Sequence, residues 1–148
     1  MEEILLISTE LAVIVISYLL GCICFAYYAS SIVHKKDIRT IGSGNPGSTN
    51  IGRQFGVLWF IPVLLLDALK GFIVVIFVNH FEFAMWVKSV SILAVIIGHI
   101  WPVQLSFNGG KGLATVMGVA LGFNYFIVLG CVIIAAIFYI GISRSNAG

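Results

Sequence analysis

Residues 11–33 read LAVIVISYLLGCICFAYYASSIV, a run without a single charged side chain. A helix needs about 20 apolar residues to cross the hydrocarbon core of a bilayer, and this run is long enough. The whole chain agrees, because 60% of its residues are apolar and only 9% are charged, against about 25% charged in soluble domains. A water-soluble fold is excluded, and a net charge of +2 gives no indication of nucleic-acid binding.

Three further apolar segments follow, at Phe60–Val78, Ala84–Ile100 and Leu113–Ile142. The first of these contains two charges, Asp67 and Lys70, and Pro62 suits the start of its helix. Because lipid offers no hydrogen-bond partners to the backbone, each segment must be helical. The sequence therefore predicts an all-α, polytopic transmembrane protein with about four spans, forming a single integral membrane domain over residues 1–148.

The charges around the spans predict the orientation. The flank before residue 11 carries Glu2, Glu3 and Glu10 and no basic residue, which favours a retained helix over a cleaved signal peptide. Four basic residues lie between the first two spans: Lys35, Lys36, Arg39 and Arg53. The positive-inside rule then places this connection in the cytoplasm and the N-terminus outside. By counting spans, the connection after the third span is also cytoplasmic, whereas Arg144 would lie outside.

The three cysteines indicate no chemistry. Cys22, Cys24 and Cys131 are few, odd in number and set in apolar runs, as expected for small buried side chains. They lie away from the polar connections in the sequence, so no covalent intermediate is expected. We expect neither a metal site nor a cofactor.

The first cytoplasmic connection contains a glycine-rich loop at residues 42–53, GSGNPGSTNIGR. Glycines allow a ligand to approach the backbone closely. Ser43, Asn45 and Asn50 can form hydrogen bonds, and Arg53 carries a planar fork suited to phosphate or carboxylate. An anion site fits this pattern. The alternative is a flexible turn in which Arg53 only anchors the chain at the lipid headgroups.

A second glycine-rich loop lies at residues 107–115, FNGGKGLAT, before the fourth span. It departs from the nucleotide-binding P-loop, because Leu105 replaces the first glycine and Gly112 replaces the serine or threonine. The remaining features are glycine amides, Lys111 and a helix N-terminus, all of which favour an anion. The alternative is that Lys111 merely extends to the membrane surface.

Three polar residues lie within or at the end of spans. Asp67 and Lys70 are three residues apart on one helix face and can form an ion pair. Intramembrane charges often mark functional sites, but an anchoring role for the pair is equally open. His99 precedes Trp101-Pro102 at the end of the third span, where a histidine is more often interfacial than reactive.

Five sequence runs together resemble the bacterial acyl-phosphate:glycerol-3-phosphate acyltransferases, which are integral membrane enzymes. The runs are Asp37-Ile38-Arg39, residues 42–53, Leu66–Gly71, Gly98–Pro102 and residues 107–115. The resemblance implies transfer of a fatty acyl group from acyl phosphate to a hydroxyl of glycerol 3-phosphate, giving lysophosphatidic acid for phospholipid biosynthesis at the bacterial plasma membrane. It implies as partners these two substrates, the lipid bilayer and the enzyme that makes acyl phosphate.

The resemblance also implies roles for residues. Ser43 and Arg53 correspond to the serine and arginine important for activity in the family. The resemblance assigns binding of glycerol 3-phosphate to Gly109, Gly110, Lys111 and Gly112 of the second loop. The residues that we expect to bind substrate in the two loops together are Asn45, Gly47, Asn50, Gly109, Gly110, Lys111, Gly112 and Thr115. His99, Lys70 and Asp67 are further candidates.

Members of the family carry a third motif and about seven spans, whereas this sequence ends at Gly148. We therefore expect a fragment that inserts into the membrane but does not turn over alone. Two alternatives to an active enzyme remain. One is a small membrane transporter, and the other is an inactive fragment that keeps an anion-binding loop.

Overall fold

A computed structural model describes residues 2–126, 128–131, 133, 134 and 137. Within these residues the chain is helical and has no strand, as the fold class predicted. The helices are α1 (Glu2–Cys22), α2 (Phe25–Val33), α3 (Ser48–Phe55), α4 (Val57–His80), α5 (Met85–Ile100) and α6 (Leu113–Phe123). Two short 3-10 turns, Ile38–Thr40 and Val103–Leu105, lie in the connections that carry the two glycine loops.

The first predicted span has the wrong boundaries. The segment 11–33 is not one helix: α1 already begins at Glu2, and the helix ends at Cys22 before α2 starts at Phe25. The break is stabilised from another helix, because Lys70 Nζ in α4 donates to the carbonyls of Gly21 and Ile23, both at 2.9 Å. Carbonyls released by a broken helix need such a partner at membrane depth.

Among the residues that the structure describes, three helical stretches are long and apolar enough to cross a membrane: Glu3–Cys22, Val57–His80 and Met85–Leu105. The predicted second and third spans are therefore present, although Pro62 lies inside α4 and not at its start. The predicted fourth span is not one continuous helix. The α6 helix has 11 residues and stops at Asn124, whose side chain accepts a hydrogen bond from the Phe126 amide. The described positions from Tyr125 onward are helical again, and the rest of that segment, with Arg144, lies outside the described residues.

Two close helix pairs frame the bundle, α1 with α5 and α4 with α6. Glycines make both contacts possible: a Cβ on Gly98 would collide with the Tyr18 carbonyl, and one on Gly118 with the Ala68 carbonyl. Small residues of this kind let helix backbones approach in membranes. The core between the pairs consists of buried valines, namely Val13, Val74, Val75, Val78, Val95 and Val119. This packing brings the end of α5 beside the middle of α4, where Lys70 contacts His99, and the start of α6 lines the same cavity.

Candidate anion-binding site

The two glycine loops, far apart in the sequence, line one cavity of about 300 Å³. Side chains from α4 and α5 form part of the same wall. The lining residues are Ser43, Asn45, Gly47, Ser48, Thr49, Asn50, Arg53, Asp67, His99, Lys111, Gly112, Leu113 and Ala114. The two loops are therefore on the same side of the bundle, as the predicted topology requires.

The first loop owes its shape to Asn50. The Asn50 side chain accepts a hydrogen bond from the Ser43 amide at 3.1 Å, and its Nδ2 donates to the carbonyls of Ile38 and Ile41 at 3.1 and 3.0 Å. Only 2% of the residue is exposed. Both hydrogens of the Asn50 side-chain amide are thus used to tie α3 to the chain segment just before the loop. Asn50 lies in the cavity wall, as expected for a binding residue, but its contacts are those of a residue that holds the loop in place.

Two cations face the cavity from different elements. Arg53 lies in the last turn of α3, and Lys111 lies just before α6. The start of α6 adds backbone donors, because its N-cap residue Gly112 has a left-handed φ of 78° and supplies no side-chain cap. The first amides of a helix have no partner within the helix, and here Leu113 and Ala114 line the cavity. This combination of cations and helix N-terminus favours an anion.

The second loop is fixed by its own backbone. The amides of Gly109 and Gly110 donate to the carbonyls of Ile100 and His99, both at 3.0 Å. We expected these amides to bind phosphate, but they are already occupied. A Cβ on Gly110 would collide with Nε2 of His99, so this glycine is required for contact with the imidazole. Gly109 instead lines an adjoining cleft of about 480 Å³ that also includes Ser43, Asn45 and Asn108.

Asp67, Lys70 and His99 form a buried polar cluster at the cavity wall. Lys70 Nζ lies 3.0 Å from Asp67 Oδ1 and 2.7 Å from His99 Nδ1, which confirms the predicted contact between the two charges. Asp67 and Lys70 side chains are each 1% exposed, and His99 is 3% exposed. Asp67 and His99 reach the cavity and Lys70 does not. Thr115, another expected binding residue, is also buried and absent from the cavity wall, since it packs where α6 meets Gly71 of α4.

One cysteine lies closer to this cluster than the sequence suggested. Cys24 is buried at the break between α1 and α2, with its Sγ 3.8 Å from the His99 carbonyl. A thiol enclosed in this way is seldom ionised, and the thiolate is the nucleophilic form, so a nucleophilic role for Cys24 is disfavoured. Cys22 is buried as predicted, whereas Cys131 is exposed, contrary to the prediction.

Arg39 joins the two chain segments that precede the glycine loops, a contact that the sequence did not reveal. Its guanidinium pairs with Asp37 at 2.8 Å, donates to the Leu105 carbonyl at 3.0 Å and lies 4.9 Å from the centre of the Tyr27 ring. The hydrogen bonds from Arg39 lower the pKa of the Asp37 carboxyl. Only the two-residue spacing of Asp37 and Arg39 is visible in the sequence. The contact with Leu105 depends on the fold.

We expect Arg39→Met to weaken anion binding about 3- to 10-fold without removing any residue of the cavity wall. The substitution keeps an apolar stem against Tyr27 but loses the charged hydrogen bond to the Leu105 carbonyl, just before the second loop. Such a bond is worth about 1.5–3 kcal/mol when fully formed and less when part-exposed. Isothermal titration with glycerol 3-phosphate, the ligand that the sequence resemblance implies, measures the effect. Lys36→Met, which removes a charge from the same connection, is the matched control, and equal losses in the two variants would contradict a specific role for Arg39.

The structure combines apolar helices long enough to cross a membrane with a cavity that Arg53, Lys111 and the start of α6 line. The family model described as glycerol-3-phosphate acyltransferase matches residues 11–148. Glycerol-3-phosphate acyltransferase 1 of a Bacillus cereus strain is 43% identical over 141 residues, which are 95% of this chain and 75% of the relative. The chain belongs to the glycerol-3-phosphate acyltransferase family.

Further relatives agree with this assignment. Glycerol-3-phosphate acyltransferase of Thermoanaerobacter pseudethanolicus is 44% identical over 107 residues, 72% of this chain and 54% of the relative. Among solved structures, PlsY (YgiH), an integral membrane glycerol 3-phosphate acyltransferase, matches in its glycerol 3-phosphate form with a TM-score of 0.76 and 36% identity. That match covers 90% of this chain and 65% of the crystallised one. The lysophosphatidic acid form matches with a TM-score of 0.72.

Proposed function

We propose that the cavity binds glycerol 3-phosphate and serves its acylation by an acyl phosphate. The observation that carries the proposal is that Arg53 and Lys111, one from each glycine loop, face a single cavity beside the N-terminus of α6. Both reactants carry phosphate, so their repulsion must be offset. Two cations and a helix N-terminus offset it and align the reactants, which accounts for much of the catalysis in such transfers.

The reaction needs no covalent intermediate on the protein. The hydroxyl oxygen of glycerol 3-phosphate attacks the carbonyl carbon of the acyl phosphate, the bond between that carbon and the phosphate oxygen breaks, and lysophosphatidic acid and phosphate result. The hydroxyl proton ends on the departing phosphate. In this proposal Arg53 and Ser43 hold the acyl phosphate, and Lys111 holds glycerol 3-phosphate. The acyl tail remains among the apolar helices.

The purified chain in lipid nanodiscs provides the test. We expect saturable binding of radiolabelled glycerol 3-phosphate, and formation of radiolabelled lysophosphatidic acid when acyl phosphate is added. The transfer is measured with the chain alone and with a second polypeptide that supplies the part of the Bacillus cereus relative not covered by this chain. Product in either preparation supports the proposal. Binding without acylation in nanodiscs, together with uptake when the same chain is reconstituted into vesicles, would indicate a transporter. The absence of both binding and product would contradict the proposal.

A labelling experiment tests the proposed cytoplasmic position of the site. Ser48 lines the cavity and Asn108 lines the adjoining cleft, so a cysteine placed at either position in a cysteine-free chain should react from the same side. We expect an impermeant maleimide to label both in inside-out vesicles and neither in intact cells. A cysteine at Glu82, in the turn between α4 and α5, is the control and should show the opposite pattern. Labelling of Ser48→Cys and Asn108→Cys from opposite sides would contradict a shared site.

A further inference from the structure

The cavity contains one group that does not fit a site for phosphate alone, the carboxylate of Asp67. Asp67 lines the cavity together with Arg53 and Lys111. A carboxylate repels phosphate, so its presence in the wall of an anion site requires another explanation. The hydrogen bonds that its neighbour Lys70 makes provide this explanation.

Lys70 uses its hydrogens elsewhere. An ammonium group has three N–H donors, and Lys70 Nζ has three well-placed acceptors: the Gly21 carbonyl at 2.9 Å, the Ile23 carbonyl at 2.9 Å and His99 Nδ1 at 2.7 Å. Asp67 Oδ1, 3.0 Å from Nζ, receives charge compensation from Lys70 but no aligned hydrogen bond. Within the described residues, Oδ1 is buried and has no hydrogen-bond partner.

His99 does not supply the missing bond. Its Nδ1 is 3.5 Å from Asp67 Oδ1 and 2.7 Å from Lys70 Nζ. The shorter contact requires Nδ1 to accept from the ammonium, which assigns the imidazole proton to Nε2. Nε2 is the atom next to Gly110 in the second loop. Lys70 therefore neutralises the charge of the Asp67 carboxylate, but Oδ1 of this carboxylate can still accept a hydrogen bond.

We propose that Asp67 accepts a hydrogen bond from a hydroxyl of the ligand and thereby selects a hydroxylated phosphate monoester over other phosphates. A group that is already neutralised has no need of a second cation, and the complementary partner is an uncharged donor. An alcohol is such a donor, and glycerol 3-phosphate offers one within a few bonds of its phosphate. This inference rests on the proposed function and adds to it the residue that recognises the alcohol.

The test compares two ligands of equal charge by isothermal titration of the full chain in nanodiscs. Glycerol 3-phosphate carries two hydroxyls, and n-propyl phosphate carries none. A hydrogen bond to a charged acceptor is worth roughly a factor of ten or more in affinity, so we expect the wild-type chain to prefer glycerol 3-phosphate by at least about tenfold. In Asp67→Asn the preference should fall below about threefold.

The direction of the two changes distinguishes recognition from a purely structural role. Asp67→Asn removes a negative charge from an anion site, so n-propyl phosphate should bind equally well or more tightly, whereas glycerol 3-phosphate should bind more weakly. If Asp67 only balanced Lys70, both ligands would weaken together. Ser91→Ala, which removes another buried polar group from the bundle, is the control and should leave the preference unchanged.

Each remaining outcome is also decisive. Equal binding of the two ligands by the wild-type chain would overturn the role of Asp67 and leave the proposed function intact, whereas no binding of either ligand would contradict the proposed function itself. If Asp67→Asn does not fold, the double variant Asp67→Asn/Lys70→Met leaves no unpaired buried charge, and its ligand preference is measured in the same way. A wild-type preference that persists in the folded variant would overturn the inference.

Discussion

Replacement of Arg53 by lysine is expected to weaken binding of the proposed acyl-phosphate substrate and to lower the rate of acyl transfer about 10- to 100-fold, with little loss of folded protein. Lysine keeps the positive charge but loses the planar fork that binds two phosphate oxygens at once, and charged hydrogen bonds of this kind are worth about 1.5–3 kcal/mol each. Arg53 is exposed at the end of α3 and faces the cavity, so its replacement leaves the helix packing intact.

The measurement is the rate of lysophosphatidic acid formation in whichever preparation turns over, with the yield of monodisperse protein as the control for folding. Arg53→Ala sets the scale, since it removes charge and fork together. If the rate of Arg53→Lys were close to the wild-type rate while Arg53→Ala were inactive, a point charge at this position would be sufficient for acyl transfer. The bidentate role of Arg53 would then be wrong.

The second large effect is expected from Gly110→Ala, which should weaken binding of glycerol 3-phosphate about 10- to 100-fold. The added methyl would collide with His99 Nε2, and excess volume in a packed interior costs about 1–3 kcal/mol. The imidazole cannot easily move away from the added methyl, because its Nδ1 is hydrogen-bonded to Lys70 Nζ at 2.7 Å. The second loop cannot easily move either, because the backbone amides of Gly109 and Gly110 donate hydrogen bonds to carbonyls of α5.

Steady-state kinetics separates this effect from a defect in chemistry. We expect the KM for glycerol 3-phosphate to rise more than kcat falls, because the loop that carries Lys111 is displaced. Val103→Ala is the control, since Val103 lies in the same connection with 52% of its surface exposed and should change neither constant. A lower kcat with an unchanged KM would show that the loop does not hold this substrate.

Much of the fold was predictable because hydrophobicity and charge are local signals. Ala84–Ile100 lies within one residue of α5, and the core of α4 was correctly located from its apolar run. The break after Cys22 was not predictable, since the residue that stabilises it, Lys70, is 47 positions from Ile23 in the sequence. The interruption at Asn124 was equally hidden within a charge-free segment.

The site was predictable at the level of its loops but not of its contacts. Topology alone placed residues 42–53 and 107–115 on the same side, and both line the cavity. Other groups that we expected to contact a ligand hold the loops instead. These are the backbone amides of Gly109 and Gly110 and the side-chain amide of Asn50. Whether a polar group faces a ligand or its own backbone depends on distances of about 3 Å between elements far apart in sequence, and local patterns do not contain that information.

The spacing of Asp67 and Lys70 also bears on how the protein enters the membrane during synthesis. An unpaired charge at the centre of an inserting helix costs about 2.5–3.5 kcal/mol on translocon-based scales. Because the two charges lie one turn apart on α4 and 3.0 Å from each other, the helix carries its own counterion before α5, which follows it in the chain, has been synthesised. The imidazole of His99 follows only when α5 emerges. The same pair thus acts at two successive times: first as a neutral unit during insertion, and afterwards as part of the buried polar cluster beside the cavity.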